Sequence, residues 1–160
     1  MRFNFFLAFI IIFLSENVNS EEFNGVVTKV IDGDSVVVRH DNVLKKIRLS
    51  YIDAPEVSQD HGENSKIFLK NIVLDKMVLV DTKRKDKYGR YLSDLYIHSN
   101  IESIYINAKM IKSGNAWVYK RYRSNTYLIN LENQARSNKI GIWKDNNPIE
   151  PWIYRKSYKQ

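Results

Sequence analysis

Cysteine is absent from this 160-residue sequence, which excludes disulfide bonds, thiolate metal sites and a cysteine nucleophile. Any bound metal must therefore be held by oxygen or imidazole ligands, and such ligands favour a hard cation. Histidine is also scarce: His40, His61 and His98 are scattered along the chain, so nothing indicates a zinc site or a histidine nucleophile. Ser65 and Ser113 have no nucleophile-elbow motif around them, which leaves serine catalysis without support.

Long hydrophobic runs are limited to the first residues of the chain. The apolar run at residues 5–14 follows a single basic residue, Arg2, and is shorter than the roughly 20 residues that a spanning helix needs. This pattern is typical of a secretory signal peptide. We predict that residues 1–20 are removed after Ser20, that residues 21–160 form the mature domain, and that the protein is secreted, extracellular or periplasmic, without stable membrane association. An uncleaved signal anchor and a buried N-terminal helix are the alternatives.

Acidic residues are outnumbered by basic ones, 18 to 25, so the formal net charge is +7. The positive balance favours a polyanionic partner, either a nucleic acid or an anionic membrane surface. With 44% hydrophobic and 27% charged residues, the chain is too apolar for a disordered tail and too polar for several membrane spans. It has no internal repeat, low-complexity tract or linker, so we expect one globular domain, and nothing implies a protein partner or an assembly beyond a monomer.

Short β-branched runs broken by turn residues follow Glu22 and predict five strands. They lie at residues 26–31, 35–39, 46–52, 77–81 and 91–97, with a charged turn segment at 82–90. Alternation in the third strand places Ile47 and Leu49 on one face and Arg48 on the other, so Arg48 points away from the core.

Apolar residues at helical spacing predict three helices, one over residues 59–74 and two that end before Gly114 and Gly141. A five-stranded barrel with a helix between its third and fourth strands is the OB pattern, an architecture that binds oligonucleotides. The predicted fold class is therefore mainly β with α (α+β), an OB-fold five-stranded antiparallel barrel with three helices.

Three short segments concentrate charge at predicted turns: IDGDS at 31–35, Arg48 with DAPE at 53–56, and DKYGR at 86–90. Each alone is compatible with an ordinary solvated turn. Together they indicate a site, because Asp34 and Asp53 offer hard oxygen ligands and a cation needs few carboxylates when phosphate and water complete its coordination. Glu56 is then available for proton transfer, and Arg48 and Arg90 are suited to binding phosphate.

The motifs IDGDS, IRLSYIDAPE, DKYGRYL, GNAWVY and IGIW occur in this order. In wording and order they resemble the staphylococcal-nuclease-like (thermonuclease) family over residues 23–145. The predicted strands and helices agree with the OB barrel and three helices of that family. The closing segment, residues 143–155, is similar to a tail found in bacterial members.

The resemblance implies a calcium-dependent nuclease whose calcium ligands are Asp34, Asp53 and the backbone carbonyl of Ala54. It implies that Glu56 is the general base that activates water for attack on phosphorus. Arg48 and Arg90 are implied to bind phosphate and to stabilise the transition state. The implied substrates are DNA and RNA, cut with little sequence preference to products that carry 3′-phosphates.

The resemblance also implies a nucleotide pocket, lined by Lys87, Tyr88, Trp117 and Tyr119. Trp117 stands where the family pattern has a tyrosine, so the shape of the base pocket is expected to differ. Ala54 replaces a threonine of the best-known member, a change that a carbonyl ligand tolerates. All five charged active-site positions of the family pattern are present.

Two other hypotheses compete with a secreted nuclease. One is a noncatalytic OB-type nucleic-acid-binding module, although the joint presence of Arg48, Glu56 and Arg90 in their motifs argues against it. The other is an interaction protein tethered to a membrane by residues 5–14. The basic and aromatic segment 119–123 is compatible with either a nucleic-acid rim or a solvated loop.

Overall fold

The computed structural model describes residues 21–157, and the predicted signal peptide lies outside them. The strands are β1 (Glu21–Val30), β2 (Ser35–His40), β3 (Val43–Leu49), β4 (Ile52–Asp53), β5 (Met77–Lys85), β6 (Tyr91–His98), β7 (Ser103–Tyr105) and β8 (Trp117–Val118). The helices are α1 (Gly62–Val73), α2 (Ile106–Lys112), α3 (Thr126–Ser137) and α4 (Pro151–Ser157). No helix within residues 21–157 combines the length and the apolar character that crossing a membrane requires.

Five strands close into a barrel, which confirms the predicted OB architecture. Strand β1 pairs antiparallel with β2 and with β5, and the β2–β3 and β5–β6 pairs continue the sheet on either side. A parallel pairing of β3 with β6, in which Arg48 lies opposite Leu92, closes the barrel. Helix α1 connects the third and fourth barrel strands, as predicted.

The predicted third strand is wrong at its C-terminal end. Strand β3 ends at Leu49, and Tyr51 adopts a left-handed φ of 68°, which interrupts the extended chain. Ile52 and Asp53 then form the separate strand β4, which pairs antiparallel with β8. The interruption turns the chain so that Asp53 lies beside Arg48.

Strand β5 is longer than predicted. Its last residues pair with β6, Arg84 opposite Leu92 and Lys85 opposite Tyr91. The side chains of Arg84 and Lys85 are exposed, while their backbone groups belong to the sheet. Charged residues are typical of turns, which is why the sequence pattern predicts a turn at these strand positions. The turn between β5 and β6 is therefore shorter than predicted.

The core fills the barrel and the space under the helices. Fully buried residues of the barrel include Val27, Val36, Val38, Ile47 and Leu95. Helices α2 and α3 pack against each other, and α2 also packs on β6. A smaller buried cluster outside the barrel consists of Trp117, Ala135, Ile142 and Trp143.

The three predicted helices correspond to α1, α2 and α3, and α4 is an addition to them. It lies in the segment interpreted from sequence as a short tail. It begins at Pro151, and proline is favoured in a first helical turn because its missing N–H would have no partner there.

Candidate active site

Nine of the ten predicted site residues line one cleft of about 640 Å³. The cleft lies where the β1–β2 turn, the β3–β4 connection, the β5–β6 turn and the segment after β8 meet. These residues are Asp34, Arg48, Asp53, Ala54, Glu56, Lys87, Tyr88, Arg90 and Tyr119. Segments distant in sequence thus converge on one concave surface.

The β1–β2 turn is shaped by its own residues. The Asp32 carboxylate accepts a hydrogen bond from the backbone N–H of Asp34 at 3.0 Å, a local bond typical of aspartate in turns. A Cβ on Gly33 would lie 2.0 Å from Oγ of Ser65, so only glycine lets this turn pack against α1. The turn therefore directs Asp34 into the cleft.

Asp34 is a buried carboxylate, 5% exposed. Its Oδ2 accepts a hydrogen bond of 2.7 Å from the backbone N–H of Ala54, and its Oδ1 accepts one of 3.1 Å from the Ser35 hydroxyl. Burial raises the pKa of Asp34 to about 8, although the nearby Arg48 guanidinium acts in the opposite direction. Asp34 is therefore protonated at neutral pH unless a further positive charge, in addition to Arg48, lies close to it.

Arg48 joins the two acidic side chains of the cleft. Its Nη2 lies 3.0 Å from Oδ2 of Asp34 and 2.9 Å from Oδ1 of Asp53. Its Nη1 donates to the backbone carbonyls of Leu49 at 2.8 Å and Ile52 at 3.0 Å. The predicted direction of Arg48, away from the core, is the one observed, and the guanidinium is held by three hydrogen bonds and by the ion pair with Asp34.

Glu56 lies in the loop that connects β4 to α1. The loop is tight, because the Glu56 carbonyl accepts a hydrogen bond from the Gln59 N–H at 2.8 Å and the Gln59 carbonyl accepts one from Gly62 at 2.8 Å. A Cβ on Gly62 would lie 1.8 Å from the Glu56 carbonyl oxygen, so glycine is required where α1 approaches this loop. The Glu56 side chain is 38% exposed, on the cleft side of the loop.

Arg90 is held by the β5–β6 turn. Its Nε donates to Oδ2 of Asp86 at 2.8 Å, and its backbone N–H donates to Oδ1 of the same residue at 3.0 Å. Partial burial acts to raise the pKa of Asp86, but hydrogen bonds from Arg90 and from the Tyr88 backbone outweigh it, so this pKa lies below its ordinary value. The charged aspartate fixes Arg90 on the cleft wall.

Basic and aromatic side chains form the outer part of the cleft. Tyr88 is 69% exposed, and Nζ of Lys87 lies 5.0 Å from the centre of its ring. Tyr119 also lines the cleft, and its ring centre is 5.9 Å from that of Trp152. Arg84 and Lys85 also line the cleft, although no sequence motif assigned them to it. Arg121 and Tyr122 line it as well, and they belong to the basic and aromatic segment 119–123, for which the sequence left a nucleic-acid rim and a solvated loop open.

Trp117 is not in this cleft. It is 2% exposed and packs edge-to-face on Trp143, with the ring centres 5.2 Å apart. It lines a second cavity, of about 500 Å³, together with Pro148, Ile149 and Tyr154. Trp117 lies beside the segment before α4 and outside the cleft of the other nine residues, so the structure does not support its predicted place in the nucleotide pocket.

Arg155, on α4, belongs to the cleft although no sequence motif identified it. Its Nη2 donates to Oδ2 of Asp53 at 2.7 Å, and its Nη1 donates to Oε1 of Glu56 at 2.6 Å. Burial acts to lower the pKa of Arg155, but these bonds outweigh it and raise the pKa, so the group stays charged. The only sequence signal is a basic residue in a tail 102 positions after Asp53, which carries no spatial information.

Asp34 and Asp53 are the side chains best suited to hold a metal. Both are buried, and their contacts with the same nitrogen of Arg48 bring them close together. Carboxylate oxygens are the ligands that a hard cation prefers. Within residues 21–157, no three His, Asp or Glu side chains gather as a metal-binding group. A cation here would therefore need backbone carbonyl, water or substrate phosphate to complete its coordination.

Comparison with known proteins agrees with this geometry. Residues 46–145 match a family model described as "Staphylococcal nuclease homologue". The chain is 36% identical over 150 residues to a protein of Escherichia coli named "Uncharacterized endonuclease", covering 94% of this chain and 96% of that one. A Haemophilus influenzae protein of the same name is 40% identical over 134 residues, covering 83% and 73% of the two chains.

A further relative is "Micrococcal nuclease" of Shigella flexneri, 33% identical over 145 residues that cover 86% of this chain and 83% of the relative. The family match includes four charged residues of the cleft, Arg48, Asp53, Glu56 and Arg90, while Asp34 and Arg155 lie outside the matched range. The chain belongs to the staphylococcal nuclease family.

Proposed function

We propose that this protein is a calcium-dependent nuclease that hydrolyses phosphodiester bonds of DNA and RNA with low sequence specificity and leaves 3′-phosphates. Membership of the staphylococcal nuclease family makes it a nuclease, a hydrolase that acts on nucleic acid. The observation that carries the finer proposal is the contact of Arg48 with both Asp34 and Asp53 in a cleft that also contains Glu56.

Glu56 is the proposed general base. Its carboxylate is partly exposed at the cleft, where water can reach it, and a carboxylate can accept a proton from a water that attacks phosphorus. Asp34 and Asp53 are less suited to this role because both are buried.

Arg48 and Arg90 are the proposed phosphate-binding groups. Both are planar cations on the walls of one cleft, and each is fixed by an aspartate. Guanidinium groups bind phosphate oxygens in pairs and stabilise the extra negative charge of a five-coordinate phosphorus. We further propose that Arg90 assists departure of the leaving oxygen.

Calcium is the cation that we propose for Asp34, Asp53 and the backbone carbonyl of Ala54, in keeping with a family that is generally calcium-dependent. When bound, it would neutralise and orient the substrate phosphate. The buried carboxylates support this proposal because a divalent cation would offset the desolvation that raises the pKa of Asp34.

The outer cleft suits a nucleic acid strand. Lys87, Tyr88 and Tyr119 offer a charge for the backbone and rings for sugars or bases, which is a sequence-tolerant mode of binding. We further propose that residues 1–20 direct export of a monomeric enzyme, on the basis of the apolar run at residues 5–14. Mass measurement of the mature N-terminus tests that proposal.

The proposed activity is tested by parallel digestion of single-stranded DNA, duplex DNA and RNA with calcium, magnesium or a chelator. We expect degradation of all three in calcium and none in chelator. Intact substrates in excess calcium would overturn the proposal and favour a noncatalytic binding module.

The role of Glu56 is tested separately with Glu56→Gln, which keeps the shape of the side chain but cannot accept the proton. We expect kcat to fall by about 10²-fold or more, with DNA binding within a few-fold of wild type. Glu63→Gln is the matched control, because Glu63 is exposed in the first turn of α1 and does not line the cleft. Full activity of Glu56→Gln would exclude it as the base.

A further inference from the structure

Arg155 contacts both Asp53, a proposed calcium ligand, and Glu56, the proposed general base. Its Nη2 donates to Oδ2 of Asp53 at 2.7 Å, and its Nη1 lies 3.2 Å from Oδ1 of Asp53 and 2.6 Å from Oε1 of Glu56. One planar group thus bridges a proposed calcium ligand and the proposed general base.

The segment that carries Arg155 is fastened to the loop of Glu56. The Tyr154 hydroxyl donates to the Ser58 carbonyl at 2.9 Å, and Nε2 of Gln59 donates to the Ile149 carbonyl at 2.5 Å. At the end of the loop, the His61 ring lies 2.9 Å from the Asp145 carboxylate. Residues 145–155 therefore set the position of the loop, and they also contact the Glu56 side chain.

The charges around Arg155 indicate what its contacts with Asp53 and Glu56 do. Asp53 and Glu56 bring like charges into one cleft, and Arg48 contacts Asp53 together with Asp34. Glu56 is partly exposed, so without a partner its carboxylate would be free to turn away from Asp53 and toward water. The guanidinium of Arg155 opposes both the repulsion and the loss of orientation.

We propose that Arg155 is a positioning residue of this site, which holds the Glu56 carboxylate beside Asp53 in the orientation that proton transfer needs. The proposal rests on the proposed nuclease function. It has a second consequence, because a cation held by Asp53 would compete with Arg155 for the oxygens of Asp53. Arg155 should therefore favour turnover while weakening calcium binding.

The test uses the full chain and compares Arg155→Ala and Arg155→Lys with wild type. Lys156→Ala is the matched control, since Lys156 is the next residue of α4 and is exposed. The measurements are kcat and KM on single-stranded DNA in calcium, the calcium Kd by titration calorimetry without nucleic acid, and the melting temperature.

For Arg155→Ala we expect kcat to fall by about 10²-fold, because misplacing a catalytic group reduces the rate by about this factor. We expect KM to change little. We expect the calcium Kd to fall several-fold, because a positive charge next to the carboxylates is removed. Arg155→Lys should recover part of kcat, since it keeps the charge but lacks the planar fork. Lys156→Ala should behave as wild type.

Three results would overturn the proposal. Weaker calcium binding together with lower kcat and a lower melting temperature would make Arg155 a purely structural residue. An unchanged kcat in Arg155→Ala would show that Arg155 does not position Glu56. A raised kcat in this variant would show that the contact between Arg155 and Glu56 is inhibitory. If the wild-type chain degrades no nucleic acid, the proposed function fails, and an unchanged calcium Kd in Arg155→Ala would then separately refute the link with Asp53.

Discussion

Nη2 of Arg48 lies 2.9 Å from Oδ1 of Asp53, while the same nitrogen lies 3.0 Å from Oδ2 of Asp34. The second terminal nitrogen of Arg48 is used by two backbone carbonyls. The guanidinium therefore joins the β1–β2 turn, the end of β3 and strand β4 in one network. Removing it would leave two buried carboxylates without their shared cation.

Arg48→Ala should lower the free energy of unfolding by about 3–5 kcal/mol, the usual cost of breaking a buried ion pair on one side. Arg48→Lys should cost less stability but should still reduce kcat, because an ammonium cannot reproduce the planar contacts. Urea unfolding and DNA digestion measure the two effects. Arg39→Ala, an exposed arginine on β2, is the control and should stay within about 0.5 kcal/mol. A loss below about 1 kcal/mol for Arg48→Ala would contradict the buried network.

Tyr88 and Trp117 were both predicted to line the nucleotide pocket, and their environments predict opposite effects of mutation. Tyr88→Ala should raise KM for DNA without changing the melting temperature, because Tyr88 is 69% exposed at the cleft. Trp117→Ala should lower the free energy of unfolding by about 3–5 kcal/mol, because Trp117 is buried against Trp143. Thermal unfolding and steady-state kinetics on both variants check this; a stable Trp117→Ala protein with a raised KM would reverse the assignment.

Most of the barrel was predictable because its signals are local. Alternating β-branched residues indicate each strand, and the same alternation correctly directs Arg48 out of the core. The left-handed conformation of Tyr51 was not predictable, since a bulky aromatic residue rarely adopts a positive φ. It occurs immediately before β4, whose partner β8 is distant in sequence.

The site residues that lie in short sequence motifs were predictable, and those outside the motifs were not. Asp34, Glu56 and Arg90 lie in short recognisable segments, and the structure brings those segments together. Arg155 and the burial of Trp117 depend instead on where the C-terminal segment packs, which is a contact between distant parts of the chain. No local pattern encodes such a contact.

Asp94 predicts a pH dependence of stability. It is buried in β6, its Oδ1 accepts a hydrogen bond from the Tyr105 hydroxyl at 2.7 Å, and its Oδ2 lies 3.5 Å from Nζ of Lys83. Burial raises the pKa of Asp94 above its ordinary value of 3.8, although Tyr105 and Lys83 act in the opposite direction. Because the folded state holds this proton more tightly than the unfolded state, the group stabilises the fold at low pH, and this contribution is lost as the pH rises above 3.8 through the folded pKa.

Asp94→Asn removes that titration. The free energy of unfolding of the variant minus that of wild type should therefore increase as the pH rises from about 4. Urea unfolding of both proteins in chelator across this range measures the difference, and contributions from other groups cancel in it. A difference that stays constant or decreases with pH would show that the pKa of Asp94 is not raised in the folded protein.

Gly62 and Gly89 predict two different costs of adding one methyl group. A Cβ on Gly62 would lie 1.8 Å from the Glu56 carbonyl oxygen, so Gly62→Ala must push α1 away from the loop that carries Glu56. We expect a loss of about 1–3 kcal/mol or more, together with a lower kcat, since overpacking displaces backbone. Gly89→Ala meets no atom within 4 Å, and its φ of 76° alone should cost about 1 kcal/mol. Thermal unfolding and kinetics of the two variants compare them, and equal losses of stability with unchanged kcat in both would mean that the contact between α1 and the Glu56 loop does not position the base.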